Sequence, residues 1–443
     1  MGMSKPLKNP DLPPGAIVET DPDGGARRND GVRLTPASQN PWYVLATVAG
    51  EQEGSSLFGI DDDLHAKNRR FWNGWMCQEM GKVVRDALAE KLGLPRSALD
   101  PLSAEQLKEL RRQLESKGLK YPPPKPGISV DFKSLHFTKG FWFSGFIVPS
   151  SILFDEAHFA QTADFRGAHF RETAYLRDTH FESTADFVGA FFNAPANFSR
   201  AYFNAYAWFE NARFESITEF EETEFKAAVN FSGGVFGSKT SFSGAKFEGR
   251  VPTFFHREMS QDTKFSEDKT LWPEPKGKGE KFLDDGKRAY TRLRQVAAEI
   301  YDPDLEHFFL RQEMKCKEAL AGRFEKVLFI LYRKFADSGI SVKRPAAALA
   351  GLWGLGAAMF AGYFLAPMGH HVPDYVAASP GWSGIGLSFA NVFAFLGLSR
   401  AFFAEVLVAL PISLKYFAGL QTVLGAVFFF LLALGLRNRF RLK

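Results

Sequence analysis

The chain is predicted to be mainly a β-solenoid of roughly 22 residues per coil, with an α-rich N-terminal region, a helical neck and two transmembrane helices. Three observations predict this. Residues 151–249 fall into rows of eleven, such as TADFRGAHFRE from Thr162, with an aromatic at the fourth and ninth place. The first 127 residues lack that rhythm and carry helix-start and helix-stop signals instead. Near the C-terminus two uncharged apolar runs are each long enough to cross a bilayer.

Residues 1–39 are polar, rich in Pro, Gly and charge, and aperiodic, so they are expected to be disordered. They contain no apolar stretch of the kind that a secretory signal needs. Residues 40–120 read as a small α-rich domain. A helical run extends from Asp61, with Asp62 and Asp63 at its start, to a stop at Gly93, and Phe71, Trp75 and Val83 fall on or near one face. A second helix starts at Ser103, where Gln106 completes a capping box, and ends near Gly118. The aromatics here are expected to form a packed core rather than a ligand box, and His65 and Cys77 are too isolated to make a metal site. A Pro-rich linker, 121–127, follows.

The solenoid is placed at 128–270. Phe132, Phe137, Trp142, Ile147 and Ile152, spaced by five, suggest a lead-in coil. The first column then holds Phe154, Phe165, Leu176, Phe187, Phe198, Phe209, Phe220, Phe231 and Phe242. The second holds Phe159, Phe170, Phe181, Phe192, Phe203, Phe214, Phe225, Phe236 and Phe247. Steps of five and six match neither helical turns nor strand alternation. They suit short extended segments joined by tight corners. Two places before most ladder residues the chain is small, as at Ala163, Ala168, Ala185 and Ala190. Large and small side chains thus alternate inside, and stacked rings can fill the axis. Phe254 and Phe265 continue the frame with one slip.

ADFRGAHF, ADFVGAFF and ANFSRAYF resemble the pentapeptide repeat family, whose motif is A(D/N)LXX or A(D/N)FXX, and its Phe-based branch most closely. The resemblance spans about residues 128–265. It implies a right-handed quadrilateral β-helix with about five residues per side. Every second unit here has six, which points to a bulged corner or a 22-residue coil. Some members of the family are thought to mimic DNA and act on topoisomerases. Residues 151–250 carry fourteen acidic against nine basic side chains, a balance of −5. That is too mixed for a phosphate-backbone mimic, and the chain's net charge of +4 does not argue for nucleic acid as a partner.

A helical neck is expected over 284–340. Asp284 and Asp285 are read as the cap of a helix that stops at Asp302-Pro303, a second helix follows at once, and the amphipathic run Arg323–Ala336 is the third. The membrane spans are placed at 345–368 and 417–436. Lys343 and Arg344 before the first, and the basic tail 437–443 after the second, place both termini in the cytoplasm and the loop 369–416 outside. Within that loop the apolar run Ile385–Leu398 is too short to cross and reads as re-entrant or interfacial. Ala346, Ala350, Gly354, Ala358 and Gly362 form a helix-packing stripe, for the second span or for a neighbouring subunit. Asn391 and Gln421 are candidate pore-lining residues; the other readings are that Asn391 satisfies backbone at a helix break and that Gln421 hydrogen-bonds across helices.

Span, short helix, span resembles the channel-like end of certain bacterial pentapeptide repeat membrane proteins. AFLGLSRAFF stands where a TVGYG-type filter would, so potassium selectivity is not implied. Cys77 and Cys316 read as free thiols of a reducing compartment. The pair His370-His371 reads as a solvated loop in preference to a metal site. No catalytic constellation or phosphate-cradling loop is present, so no enzyme and no cofactor are expected. The sequence points to a multi-pass protein of the bacterial inner membrane. It is expected to be oligomeric and channel-like, with the lipid bilayer and an unidentified cytosolic protein as partners of a solenoid platform. The alternative is a non-conducting anchored scaffold.

Overall fold

The computed structural model describes residues 12–13, 15–54, 59–116, 118, 122–275, 279–366 and 373–440. His370 and His371 lie outside these. The chain forms two compact units. One contains the N-terminal region, the solenoid and residues 285–309; the other contains residues 310–443.

The solenoid is four parallel ladders of two- and three-residue strands. One runs from Leu135–Phe137 to Lys246–Phe247, a second from Phe141–Trp142 to Val229–Asn230, a third from Ile147–Val148 to Val235–Phe236, and the fourth from Val130–Asp131 to Lys264–Phe265. Ala163 pairs with Ala185 and His158 with His180, so each coil takes 22 residues over about six turns. No strand is long enough to be stable alone. Its hydrogen bonds come from the coils above and below.

The two kinds of step have two kinds of corner. In the five-residue steps Phe165 O accepts from Ala168 N at 3.0 Å, and Gly167 between them has φ +58°. That is a tight turn needing a left-handed residue at its third position. The same corner recurs at Gly145, Glu156, Asp178, Gly189, Arg200, Asn211 and Glu222, all with positive φ. The six-residue steps turn through open bends such as Arg171-Glu172.

All eighteen ladder side chains are at most 2 % exposed. Successive rings lie nearly parallel, as in Phe159–Phe181 (5.0 Å, 3°) and Phe187–Phe209 (4.9 Å, 2°). Each buried Phe contributes roughly 1.5–3 kcal/mol. The slip is real: Phe231 stacks on Phe254 and Phe242 on Phe265, each pair 23 residues apart. In the lead-in coil the six-step already applies. Asp164 pairs with Trp142 and Phe170 with Val148, so the ladder counterparts one coil earlier are Phe143 and Val148, not Trp142 and Ile147.

The expected disorder before residue 40 is corrected for the part described. β1 (Ile17–Thr20), β2 (Ala26–Arg28) and β3 (Arg33–Pro36) form an antiparallel meander, and β3 pairs in parallel with Leu135–Phe137. Arg28 donates to the carbonyls of Glu156 and Asp178 at 3.0 and 2.9 Å. Long-range bonds to an existing ladder offset the ordering entropy that the polar composition alone cannot.

Helices α1 (Pro41–Ala46), α2 (Asp62–Met76), α3 (Lys82–Lys91) and α4 (Ala104–Ser116) follow. The single helix expected over 61–93 is thus two, broken at Cys77–Gly81. Trp72 rather than Phe71 is fully buried, and Val83 is exposed. The helices do not make a separate domain. Trp72 packs edge-on against Phe143 at 5.1 Å, its Nε1 donates to Ile147 O at 2.9 Å, and Asn73 exchanges bonds with the first coil. Ser103 and Gln106 make the reciprocal capping box. Cys77 and Cys316 are buried free thiols, and burial pushes the Cys77 thiol up to about 12.

At the other end of the solenoid, α5 (Glu280–Glu299) and the start of α6 (Pro303–Leu320) act as a cover. Phe309 packs edge-on against Trp272 at 4.8 Å, and Trp272 lies 5.0 Å from Phe247. Asp284 and Asp285 sit inside α5 and do not cap it. Arg257 plugs the axis: it is 2 % exposed, donates to the carbonyls of Phe231, Phe209 and Val235, and lies 4.3 Å over the Phe236 ring. Burial without a counter-ion lowers its guanidinium to about 9.

The second unit contains α7 (Arg323–Ala336), α8 (Lys343–Leu365), α9 (Asp374–Ala378), α10 (Pro380–Val392), α11 (Leu398–Phe402), α12 (Ala404–Ala409) and α13 (Ile412–Phe440). α8 and α13 are both long and apolar enough to cross a membrane. α13 begins before residue 417 and carries Arg437 and Arg439 in its last turn, so much of the basic tail is helical.

Candidate functional site

Three places bring polar chemistry together. The first is the outer wall of the solenoid. Ion pairs link successive coils at 22-residue spacing: Arg177 with Asp155 at 3.2 Å, Arg200 with Asp178 at 2.8 Å, and Lys226 with Glu248 at 2.7 Å. Signs alternate, so no wall presents one charge. Asp164 and Asp186 are stacked neighbours, and Arg166 reaches both, at 2.8 and 3.8 Å. Burial pushes the Asp186 carboxyl up to about 6. Lys91 of α3 lies 4.3 Å over Phe191, beside Leu92, Leu94 and Arg213, in a groove along the wall.

The second place is a column of imidazoles. His136, His158 and His180 occupy the same position on three coils, directly before ladder residues Phe137, Phe159 and Phe181. His158 and His180 are stacked at 4.9 Å and 15°, and Tyr202 continues the stack at 4.5 Å. The N-terminal strands help to enclose this column: His136 Nδ1 bonds to Gly24 O at 2.9 Å, and the Gly15 backbone lies against His180. Glu182 Oε1 is 2.9 Å from His180 Nε2 and 3.5 Å from His158 Nε2. The two imidazoles hold the Glu182 carboxyl far below the usual range, while burial lowers His158. The signal was present in LHF, AHF and THF at intervals of 22, but the Phe periodicity masked it.

The third place is a polar junction among α8, α10 and α13. Gln421 Nε2 donates to Ser388 Oγ at 2.7 Å and to Leu352 O at 3.0 Å. Ser388 Oγ donates to Trp353 O at 2.7 Å, and Asn391 Nδ2 reaches Gln421 Oε1 at 3.4 Å. Ser388, Asn391 and Gln421 are all at most 2 % exposed. The two candidate pore-lining residues therefore face each other inside the chain. Gln421 takes the interhelical role, and Asn391 bonds Gln421 rather than the backbone at the helix break. Sequence reasoning missed Ser388 and Gly356: a Cβ on Gly356 would collide with Gln421 and Ser388. Gly384 against Ala361 and Gly425 against Val392 are equally tight. By contrast Ala346, Ala350, Gly354, Ala358 and Gly362 are all exposed, and nothing in the chain lies within 4 Å of a Cβ placed on Gly354 or Gly362. The stripe is not spent on the second span.

Comparison with known proteins agrees with the ladder geometry. A family model described as pentapeptide repeats (9 copies) matches residues 143–190, 154–202 and 177–224. No curated protein and no solved structure matches the chain. Across the matched residues 143–224, the four parallel ladders, 22-residue coils and phenylalanine axis are pentapeptide repeats.

Proposed function

We propose that the protein is an oligomeric, channel-like membrane protein whose cytosolic solenoid is a rigid platform for a protein partner. The observation that carries the membrane half is α10. This 13-residue helix packs on both α8 and α13, ends at Val392, and is too short to cross. A plain anchoring hairpin has no need of a helix buried between its spans. Two features support assembly and insertion. The small-residue stripe of α8 is left open for a second copy, where close backbone approach stabilises helix pairs in lipid. Ahead of it, α7 exposes Phe324, Val327, Leu328 and Leu331 beside Lys326, as an interfacial helix does.

The platform half rests on the solenoid being a structural scaffold with a mixed-charge wall. Pairing within the wall leaves it rigid but not one-signed, which suits a protein partner better than a polyanion. A non-conducting anchored scaffold is the second reading, favoured by the burial of Asn391 and Gln421 against each other. Ion flux through the purified full chain in liposomes separates the two. Flux that depends on residues 345–443 and changes in Gln421→Leu supports the channel. Tight liposomes with the oligomer inserted leave the scaffold.

A further inference from the structure

We propose that His158, His180 and Glu182 form a divalent-metal site of the zinc type, which staples two successive coils beneath the N-terminal strands. The donors come from adjacent coils, 22 residues apart, so the rigid ladder register brings them together. Their three ligand atoms lie within 4.8 Å of one another, and the two imidazole–carboxylate distances are 3.5 and 2.9 Å. Ligand-to-ligand edges in a tetrahedral zinc site are about 3.3 Å, so closure draws the widest pair together by at most roughly 1.5 Å and asks the two stacked rings to tilt toward a shared cation. Two imidazoles and a carboxylate are a zinc donor set.

Two details point to a ligand rather than to a hydrogen-bonded stack. His158 is 2 % exposed, and its Nε2, the nitrogen that faces Glu182 at 3.5 Å, has no hydrogen-bond partner among the described residues. Asn204 Nδ2 donates to Glu182 Oε2 at 3.0 Å, so the other carboxylate oxygen is aimed at the imidazoles by a partner one coil on. The Glu182 side chain is 34 % exposed, which leaves an entry path and a fourth position for water. Arg28 on the covering strand is occupied by Asp30 at 2.6 Å and by two carbonyls. His136 is tied to Gly24 and lies outside the set. Beyond His180 the same column reads Tyr202, Glu224 and Lys246, so the donor set occurs once along it.

The test is Co²⁺ titration of the full chain in detergent, stripped of metal by a chelator, followed by Zn²⁺ displacement. The expected result is one Co²⁺ with intense tetrahedral visible absorption that Zn²⁺ removes. Glu182→Gln, at a half-exposed position, weakens it at least tenfold. His180→Tyr, which places there the residue that the next coil carries as Tyr202, abolishes it. Asn204→Ala, acting only through Glu182, weakens binding roughly 10- to 100-fold. Circular dichroism confirms that each variant is folded. Folded Glu182→Gln and His180→Tyr chains that bind with wild-type stoichiometry and affinity overturn the proposal. So does a wild-type chain that binds neither metal at large molar excess.

Discussion

The solenoid and the second, helical unit solve the same packing problem with different materials. Inside the solenoid, eighteen large apolar side chains stack on the axis, and the polar groups are sent to the wall. In the second unit large apolar side chains such as Phe430, Val423 and Leu420 face outward, and the interior adds Gln421, Ser388, Asn391 and close-packed glycines to a small apolar cluster around Phe360, Leu387 and Val406. Water drives the first arrangement, because burying rings removes apolar surface from solvent. Under the proposed insertion in hydrocarbon that drive would be absent, and close backbone contact and interhelical hydrogen bonds would hold the helices together. An outward-facing phenylalanine such as Phe430 is therefore worth far less to folding than one on the ladder.

The largest effect expected is on that contrast. Phe187→Ala, mid-ladder and fully buried, should cost about 3–5 kcal/mol in unfolding of the solenoid. Phe430→Ala, 66 % exposed on α13, should leave the unfolding of the detergent-solubilised chain unchanged. Equal losses would break the comparison.

Next comes a gain. The Asp186 carboxyl, raised to about 6 by burial, binds a proton more readily in the folded chain than in the unfolded one, where its value is about 3.9. Stability therefore falls as pH rises through that window. Asp186→Asn should raise stability by roughly 1–3 kcal/mol at pH 7.5 and by almost nothing at pH 4, and chemical denaturation at the two pH values checks it. An equal gain at both would place the effect in packing, not charge.

Gln421→Leu removes the donor to Ser388 and Leu352 and should cost about 1–2 kcal/mol, read as earlier thermal unfolding of the membrane unit alone. The smallest effect is at a corner. Gly189 has φ +65° with open space around it, so Gly189→Ala should cost about 1–2 kcal/mol by backbone strain without a clash. No loss there would mean that the five-residue corner does not need a left-handed residue.

The ladder was legible because it repeats: nine rows in phase define the columns, and the 5 + 6 spacing anticipates the 22-residue coil. The helix starts at Asp61 and Ser103 were equally readable, since each carries its own cap. What escaped notice depends on contacts distant in sequence. Residues 12–39 look disordered by composition, yet Arg28 and Gly24 find partners more than a hundred positions away. The stop at Cys77 has no breaker before Gly81. Asn391 and Gln421 stand out as polar residues in apolar runs, but that they bond each other, with Ser388 as a further partner of Gln421, follows only from how α8, α10 and α13 cross. The imidazole column is present in the 22-residue spacing of LHF, AHF and THF, but the stronger phenylalanine periodicity hides it.

We propose that α8 and α13 tether the phenylalanine-stacked rod to a bilayer. Alkaline carbonate extraction of membranes from cells expressing the full chain, beside a chain lacking residues 345–443, tests it most directly. The full chain should remain in the membrane pellet while the truncated chain is released as a folded, β-rich soluble protein. Release of the full chain into the supernatant would contradict the account.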